Sequence, residues 1–245
     1  MTTRRIRIAT YNIHKCRGLD RRTDPDRIAD VIKELDADAV GIQEILDVQD
    51  GRPEFDQARR IKLQLQGYAS CFGENRILHG GSYGNMTLSR FPVQLCQNYD
   101  VTWRKRERRG CLRTDLQISD SAVLHIFNVH LGTGFLERRQ QVRRLLSADV
   151  LNQTAFRGPR IVFGDFNEWT RGLASRFMGK AFRAVEPRAF LRYARTYPGI
   201  LPFLHLDHFY YDERLSLINF RLHRTRKALV ASDHLPLVAE FEFTL

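Results

Sequence analysis

Short apolar runs of strand length, several of them closed by an acid, an amide or an imidazole, dominate this chain. "IRIATYN" (6–12) ends on Asn12, and "DAVGIQE" (38–44) ends on Gln43 and Glu44. "LHIFNVHLG" (124–132) carries Asn128 and His130, and "RIVFGDFN" (160–167) delivers Asp165 and Asn167. "HLDHFYY" (205–211) holds Asp207 within an apolar run, and "ASDHLPL" (231–237) places Asp233 and His234 before the last one. Runs this short, bounded by Gly, Asn and Asp, read as strands. Many strands in one chain must bury their apolar faces against another layer.

Further strands are expected at about 68–73, 84–89, 93–101, 111–118, 122–130, 214–221 and 237–243. Helices are expected from Asp24-Pro25, at 56–66, at about 135–155 and near 171–178. Proline at the first helical position fits Pro25. Ile28, Val31, Ile32 and Leu35 then make one apolar stripe. Helices mixed with hairpin-like strand pairs point to two packed mixed sheets with helices outside. With 245 residues and neither linker nor repeat, a single domain over 1–245 is expected.

No run approaches the eighteen apolar residues of a membrane-spanning helix. The opening "MTTRRIRIATYN" has no apolar core of a secretory leader, so a cytoplasmic chain is expected. The four cysteines, Cys16, Cys71, Cys96 and Cys111, make no CxxC pair and no zinc spacing. Reduced thiols are the simplest account of them.

Each polar strand end, taken alone, is ordinary. Asp, Asn and Gly are turn residues, and a lone histidine is more often packed than functional. Asp207 resists that reading, since a buried carboxylate has to be paired. Together the ends form a kit of acids, amides and imidazoles. Oxygen donors suit a hard divalent cation, and imidazoles bond phosphate oxygens or move protons. The chain has no Walker loop and no GxGxxG.

Seven segments, "TYNIH", "GIQE", "YGNMTLSRFPV", "NVHLG", "GDFN", "LDHFYY" and "SDHLPL", occur in order between residues 10 and 237. This set resembles the endonuclease/exonuclease/phosphatase superfamily of metal-dependent phosphodiesterases. The resemblance implies a DNase I-like fold: a four-layer α/β sandwich of two mixed, mostly antiparallel sheets flanked by helices. It implies Mg2+ as the cofactor, with Mn2+ as a substitute, held by Glu44 with Asn12 beside it and Asp233 contributing. Asp165 would orient or deprotonate the attacking water, and Asn167 would hold that water or a phosphate oxygen. His234 would contact the phosphate, with Asp207 fixing its tautomer. His130 would contact the phosphate or protonate the leaving group. Tyr83, Asn85 and Arg109 would position the substrate. Hydrolysis by direct water attack, with no covalent enzyme intermediate, is expected. The chain departs from the abasic-site endonucleases of the family at His14 and Ile45, where those enzymes carry an acid and a lysine.

The net charge of +11 favours polyanionic partners. "WRKRERRGCLR" (103–113) has six basic residues and one acid, and "RLHRTRK" (221–227) has four basic residues besides His223. Either run is a solvated face or a track for phosphates. Trp103 and Trp169 are candidates for stacking on a base. "YPGILPFLHL" (197–206) is an apolar stretch expected to pack beside the site. Nucleic acid is therefore the expected partner, with anionic phospholipid or another small phosphodiester as the alternative. A non-catalytic basic scaffold is the reading from another class, and intact Glu44, Asp165, Asp207 and His234 argue against it.

Overall fold

The computed structural model describes residues 3–48, 52, 54–169, 172–186, 189–190, 195–199 and 203–244. Its strands in chain order are β1 (Thr3–Asn12), β2 (Ala39–Asp47), β3 (Ala69–Leu78), β4 (Gly81–Ser89), β5 (Val93–Asp100) and β6 (Gly110–Ser119). They continue with β7 (Ala122–His130), β8 (Arg160–Asp165), β9 (Arg183–Ala184), β10 (Asp207–Tyr211), β11 (Ser216–Leu222) and β12 (Leu237–Thr244). The helices are α1 (Pro25–Leu35), α2 (Gln57–Gln64), α3 (Phe135–Leu145), α4 (Leu173–Ala181) and α5 (Arg226–Ala231).

Two six-stranded sheets result, ordered β11-β12-β1-β2-β4-β3 and β5-β6-β7-β8-β10-β9. Each is antiparallel except for one central pair, β1 with β2 and β7 with β8. Between the sheets lies a layer that includes Ile6, Ile8, Phe163, Phe209 and Phe241. Burying a side chain of this size stabilises the fold by about 1.5–3 kcal/mol. Helices α1, α2 and α5 cover the outer face of the first sheet, through Ile28, Ile32, Ile61 and Ala228. Helices α3 and α4 cover the second, through Val142, Leu145, Ala174 and Met178. The expected four-layer sandwich is the architecture observed.

Local chemistry explains the boundaries. Asp24 caps α1 by accepting the Arg27 N–H at 3.0 Å, and Pro25 opens the helix. The expected helix over 135–155 stops at Leu145. There the chain tightens into turns, and the Asn152 side chain takes the Leu146 carbonyl at 2.7 Å. Two of the four basic residues in the run 221–227 are spent on structure. Arg221 bonds the Leu35 carbonyl, His223 and Thr225 reach Glu34, and Lys227 reaches Asp30. These contacts dock the start of α5 onto the acidic face of α1, while Arg224 and Arg226 stay exposed. Of the stretch 197–206, residues 200–202 lie outside the described residues.

The cysteines also correct the reading from sequence. Cys71 in β3 and Cys96 in β5 form a disulfide with their Cα atoms 5.6 Å apart. Each sits on an edge strand, so the bond ties the first sheet to the second. Cys16 and Cys111 are free and buried. Disulfides persist in oxidising compartments, so cysteine usage does not support the cytoplasmic expectation. Among the described residues no helix is long and apolar enough to cross a membrane.

Candidate active site

The parallel register of β7 on β8 sets His130 opposite Asp165, and the antiparallel register of β10 on β8 sets Asp207 opposite the same residue. Three polar strand ends thus form one row across the second sheet. Gly164 makes this row close-packed. Its φ is +135°, and a Cβ there would meet the Val129 carbonyl oxygen at 2.0 Å.

The first sheet brings its own polar ends to meet this row. Asn12 closes β1, and its amide nitrogen lies 3.0 Å from Asp165 Oδ2 and 3.3 Å from Glu44 Oε1. Glu44 sits in a bulge of β2 against β4, with a left-handed φ of 59°. Bulges re-aim side chains, and this one turns a strand residue toward the site. At the rim, the Ser232 hydroxyl donates to the Asn12 carbonyl at 2.8 Å and accepts the His234 N–H at 3.2 Å. That anchors the Ser-Asp-His turn on the end of β1.

The acid–base set is compact. His234 Nδ1 lies 3.0 Å from Asp207 Oδ2, and its Nε2 lies 3.9 Å from Asp165 Oδ2. His130 Nε2 lies 3.6 Å from Asp165 Oδ2 and 3.9 Å from Glu44 Oε1. Asp165 Oδ1 accepts the Asn167 N–H at 2.8 Å. Asn167, with φ of 50°, sends its amide to the Leu131 carbonyl at 2.8 Å.

Electrostatics divides these groups by role. Burial pushes the Asp165 carboxyl up to about 7, with His234 pulling against it and Asp207 adding to it. Burial opposes a charge on His234, but Asp207 and Asp165 outweigh it and raise the imidazole to about 10. His130 goes the other way: burial and the neighbouring Arg109 hold it well below its ordinary value. Arg109 Nη1 lies 2.9 Å from both ring nitrogens of His130. The neutral imidazole fits a phosphate contact better than a proton donor. Burial alone would raise Glu44, yet His130, Lys15 and Asn12 hold it well below the usual carboxylate range. Of these Lys15 matters most, because His130 is kept neutral.

Other expected residues sit farther back. Asp233 faces His14 Nδ1 at 3.5 Å rather than Glu44. Tyr83 is buried, with the Arg76 guanidinium 4.8 Å from its ring centre. Asn85 is fully buried and spends its amide on the Gly110 and Asn128 carbonyls, both at 3.3 Å, as a strut between the sheets. Asn128 and Gln43 form a second strut, with Gln43 Nε2 2.7 Å from Asn128 Oδ1. Trp169 is exposed. It borders a groove of about 910 Å³ beside α4 that also includes Arg176, Lys180, Arg183 and His205. Reading the sequence missed Lys15 and Ser232. Ser232 directly precedes the Asp-His pair, which was its only signal.

The oxygen donors present suit a divalent ion of one kind. Among the described residues no three His, Cys, Asp or Glu side chains form a ready-made cage. Mg2+ does not need one, since it keeps several waters and takes one or two carboxylates together with substrate phosphates. An ionised Glu44 beside an amide fits that pattern.

Comparisons agree with this architecture. The model of the Endonuclease/Exonuclease/phosphatase family matches residues 9–234, and the chain belongs to that family. Members of the family are hydrolases acting on phosphoester bonds. The uncharacterized protein YbhP of Escherichia coli (strain K12) is 31% identical over 246 residues, covering 96% of this chain and 95% of YbhP. A family protein from Bacteroides thetaiotaomicron superposes with a TM-score of 0.80 at 16% identity, covering 100% of both chains. The mannosyl-6-phosphatase Bt3783 of Bacteroides thetaiotaomicron VPI-5482 superposes with a TM-score of 0.75 at 16% identity, covering 96% of this chain and 99% of its own.

Proposed function

We propose that this protein is a Mg2+-dependent phosphodiester hydrolase acting by direct water attack, with nucleic acid as its substrate and Mn2+ able to replace Mg2+. The observation that carries the reading is the convergence on Asp165 of Asn12, His130 and His234 from both sheets, with Glu44 ionised beside them.

Asp165 is the base. Its raised pKa leaves it basic enough to take a proton from water while still ionised above about pH 7. His234, kept charged by Asp207, faces the phosphate and stabilises the charge that builds on its oxygens. His130 adds a neutral hydrogen bond, and Arg109 behind it adds positive potential. Asn12 and Asn167 fix the Asp165 carboxylate from two directions. Glu44 and Asn12 would hold the ion. When bound, Mg2+ neutralises charge on the phosphoryl oxygens. The net reaction adds the hydroxyl of water to phosphorus and its proton to the leaving oxygen.

The loop between β5 and β6 supports a long polyanion. Arg104, Lys105, Arg106 and Arg108 are exposed there, and the loop ends at buried Arg109 against His130. Glu107 pairs with Arg76 and Arg109 and so braces the loop at its base.

The test is a hydrolysis panel with and without Mg2+: plasmid DNA, an abasic-site duplex, single-stranded RNA, anionic phospholipid vesicles, an aryl phosphodiester and an aryl phosphomonoester. The expected result is Mg2+-dependent cleavage, with DNA or RNA the best substrate. Preference for vesicles would replace nucleic acid with lipid. Preference for the monoester would move the reading toward the activity that Bt3783 is named for. Cleavage that ignores Mg2+ and chelator alike would end the metal-dependent reading.

A further inference from the structure

Lys15 takes no part in the acid–base scheme, yet its position is strongly determined. Its Nζ lies 2.6 Å from Glu44 Oε2 and 6.0 Å from the centre of the Tyr83 ring. The chain delivers it through three successive left-handed residues, none of them glycine: His14 (φ 46°), Lys15 (φ 56°) and Cys16 (φ 58°). Such a conformation is costly for L-residues and persists only where its surroundings enforce it. Here they do. The buried Gln57 side chain of α2 donates to the Lys15 carbonyl at 2.7 Å. Asn12 Oδ1 accepts the His14 N–H at 3.0 Å, and Cys16 is fully buried. The backbone is thus clamped from β1 and α2, while the side chain reaches Glu44, the carboxylate read as the main ion ligand.

An ammonium at 2.6 Å and a divalent ion cannot share one carboxylate without strong mutual repulsion. We propose that Lys15 is a built-in counter-cation that the divalent ion displaces from Glu44, and that the released ammonium moves onto a substrate phosphate oxygen. The inference rests on Glu44 being an ion ligand. Ion and lysine then compete for Glu44. Substrate phosphate, by drawing Lys15 away, raises the affinity for the ion, and the ion raises the affinity for phosphate by the same factor. Lys15 becomes a phosphate contact that is engaged only when the ion is in place. Its flexible stem permits that movement while the clamped backbone stays fixed.

The test uses the full chain and two readouts that do not depend on turnover. Acetylation of lysines by an N-hydroxysuccinimide ester at fixed pH, read by peptide mass spectrometry, reports whether Lys15 is free. The exposed Lys180 serves as the reference. Calorimetric titration with Mn2+ reports ion binding in wild type, Lys15→Met and Glu44→Gln. We expect saturating Mn2+ to raise Lys15 acetylation at least threefold relative to Lys180. In Glu44→Gln, Lys15 should be freely acetylated without the ion, and Lys15→Met should bind Mn2+ at least fivefold tighter than wild type. If Mn2+ binds wild type but leaves Lys15 acetylation unchanged, the displacement is overturned while the ion site stands. Lys15→Met binding no tighter than wild type has the same consequence. If no variant binds Mn2+, or Glu44→Gln binds it as well as wild type, Glu44 is not the ion ligand and both readings fall together. The wild-type acetylation arm does not depend on either variant folding.

Discussion

Asp207 shows how one residue sets the chemistry of two others. It is buried, bonds His234 at 3.0 Å, and pushes both His234 and Asp165 upward. The signs give a pH profile. Asp165 must be ionised to act as a base, so the rate rises with pH through about 7. His234 must stay protonated to face the phosphate, so the rate falls as pH passes about 10. In Asp207→Asn, burial is left to act on His234 without its main counter-charge. The alkaline limb of kcat should therefore move down by more than one pH unit, and a pH–rate series on an aryl phosphodiester measures it. An unmoved limb would remove Asp207 from this role. Asp165, Asp207 and His234 were legible in the sequence because each closes or interrupts an apolar run. Lys15 was not, because a lysine in a polar loop has no signature until the left-handed turn aims it at Glu44. Asp233 adjoins His234 in the chain, and its carboxylate lies 3.5 Å from His14 Nδ1.

At the scale of elements, the site depends on how closely two sheets approach. Gly41 of β2 faces the Phe163 ring of β8, where a Cβ would lie 2.2 Å from a ring carbon. Gly41→Ala should destabilise the fold by about 1–3 kcal/mol through overpacking. A urea titration would show this as a lower midpoint at an unchanged slope. The disulfide makes a second prediction. Cys71 and Cys96 are 25 residues apart, and closing a loop of that order stabilises by about 3 kcal/mol. Reduction, or Cys71→Ser, should lower Tm by roughly 6–12 °C in a chain of this size. Equal melting with and without reductant would contradict the staple. Strand periodicity was enough to find nearly every strand and the two-sheet packing. It was silent on the disulfide, since cysteine spacing does not encode which strands become sheet edges. It also missed α5, whose basic residues read as a charged run until the acidic face of α1 was placed against it.

For the whole molecule, the net charge of +11 does not spread evenly into function. Ion pairs such as those of Arg27, Arg90, Arg113 and Arg160 each take one acid with one base, so they leave this excess untouched and only decide where it lies. The loop carrying Arg104, Lys105, Arg106 and Arg108 is an exposed concentration that ends at Arg109 against His130. Replacing these four with Gln should lower the salt slope of DNA binding by roughly 2 to 4. Turnover of a small aryl diester should change little, because Arg109 and His130 are left in place. A slope equal to wild type would take the loop out of the substrate path. In the function proposed, strand ends from two sheets converge to make Asp165 the base of a Mg2+-dependent phosphodiester hydrolysis. The most direct measurement is kcat/KM for an aryl phosphodiester with saturating Mg2+, comparing wild type with Asp165→Asn of matching circular dichroism. A loss of about 10²–10⁴-fold is expected. Activity within a few-fold of wild type would contradict it.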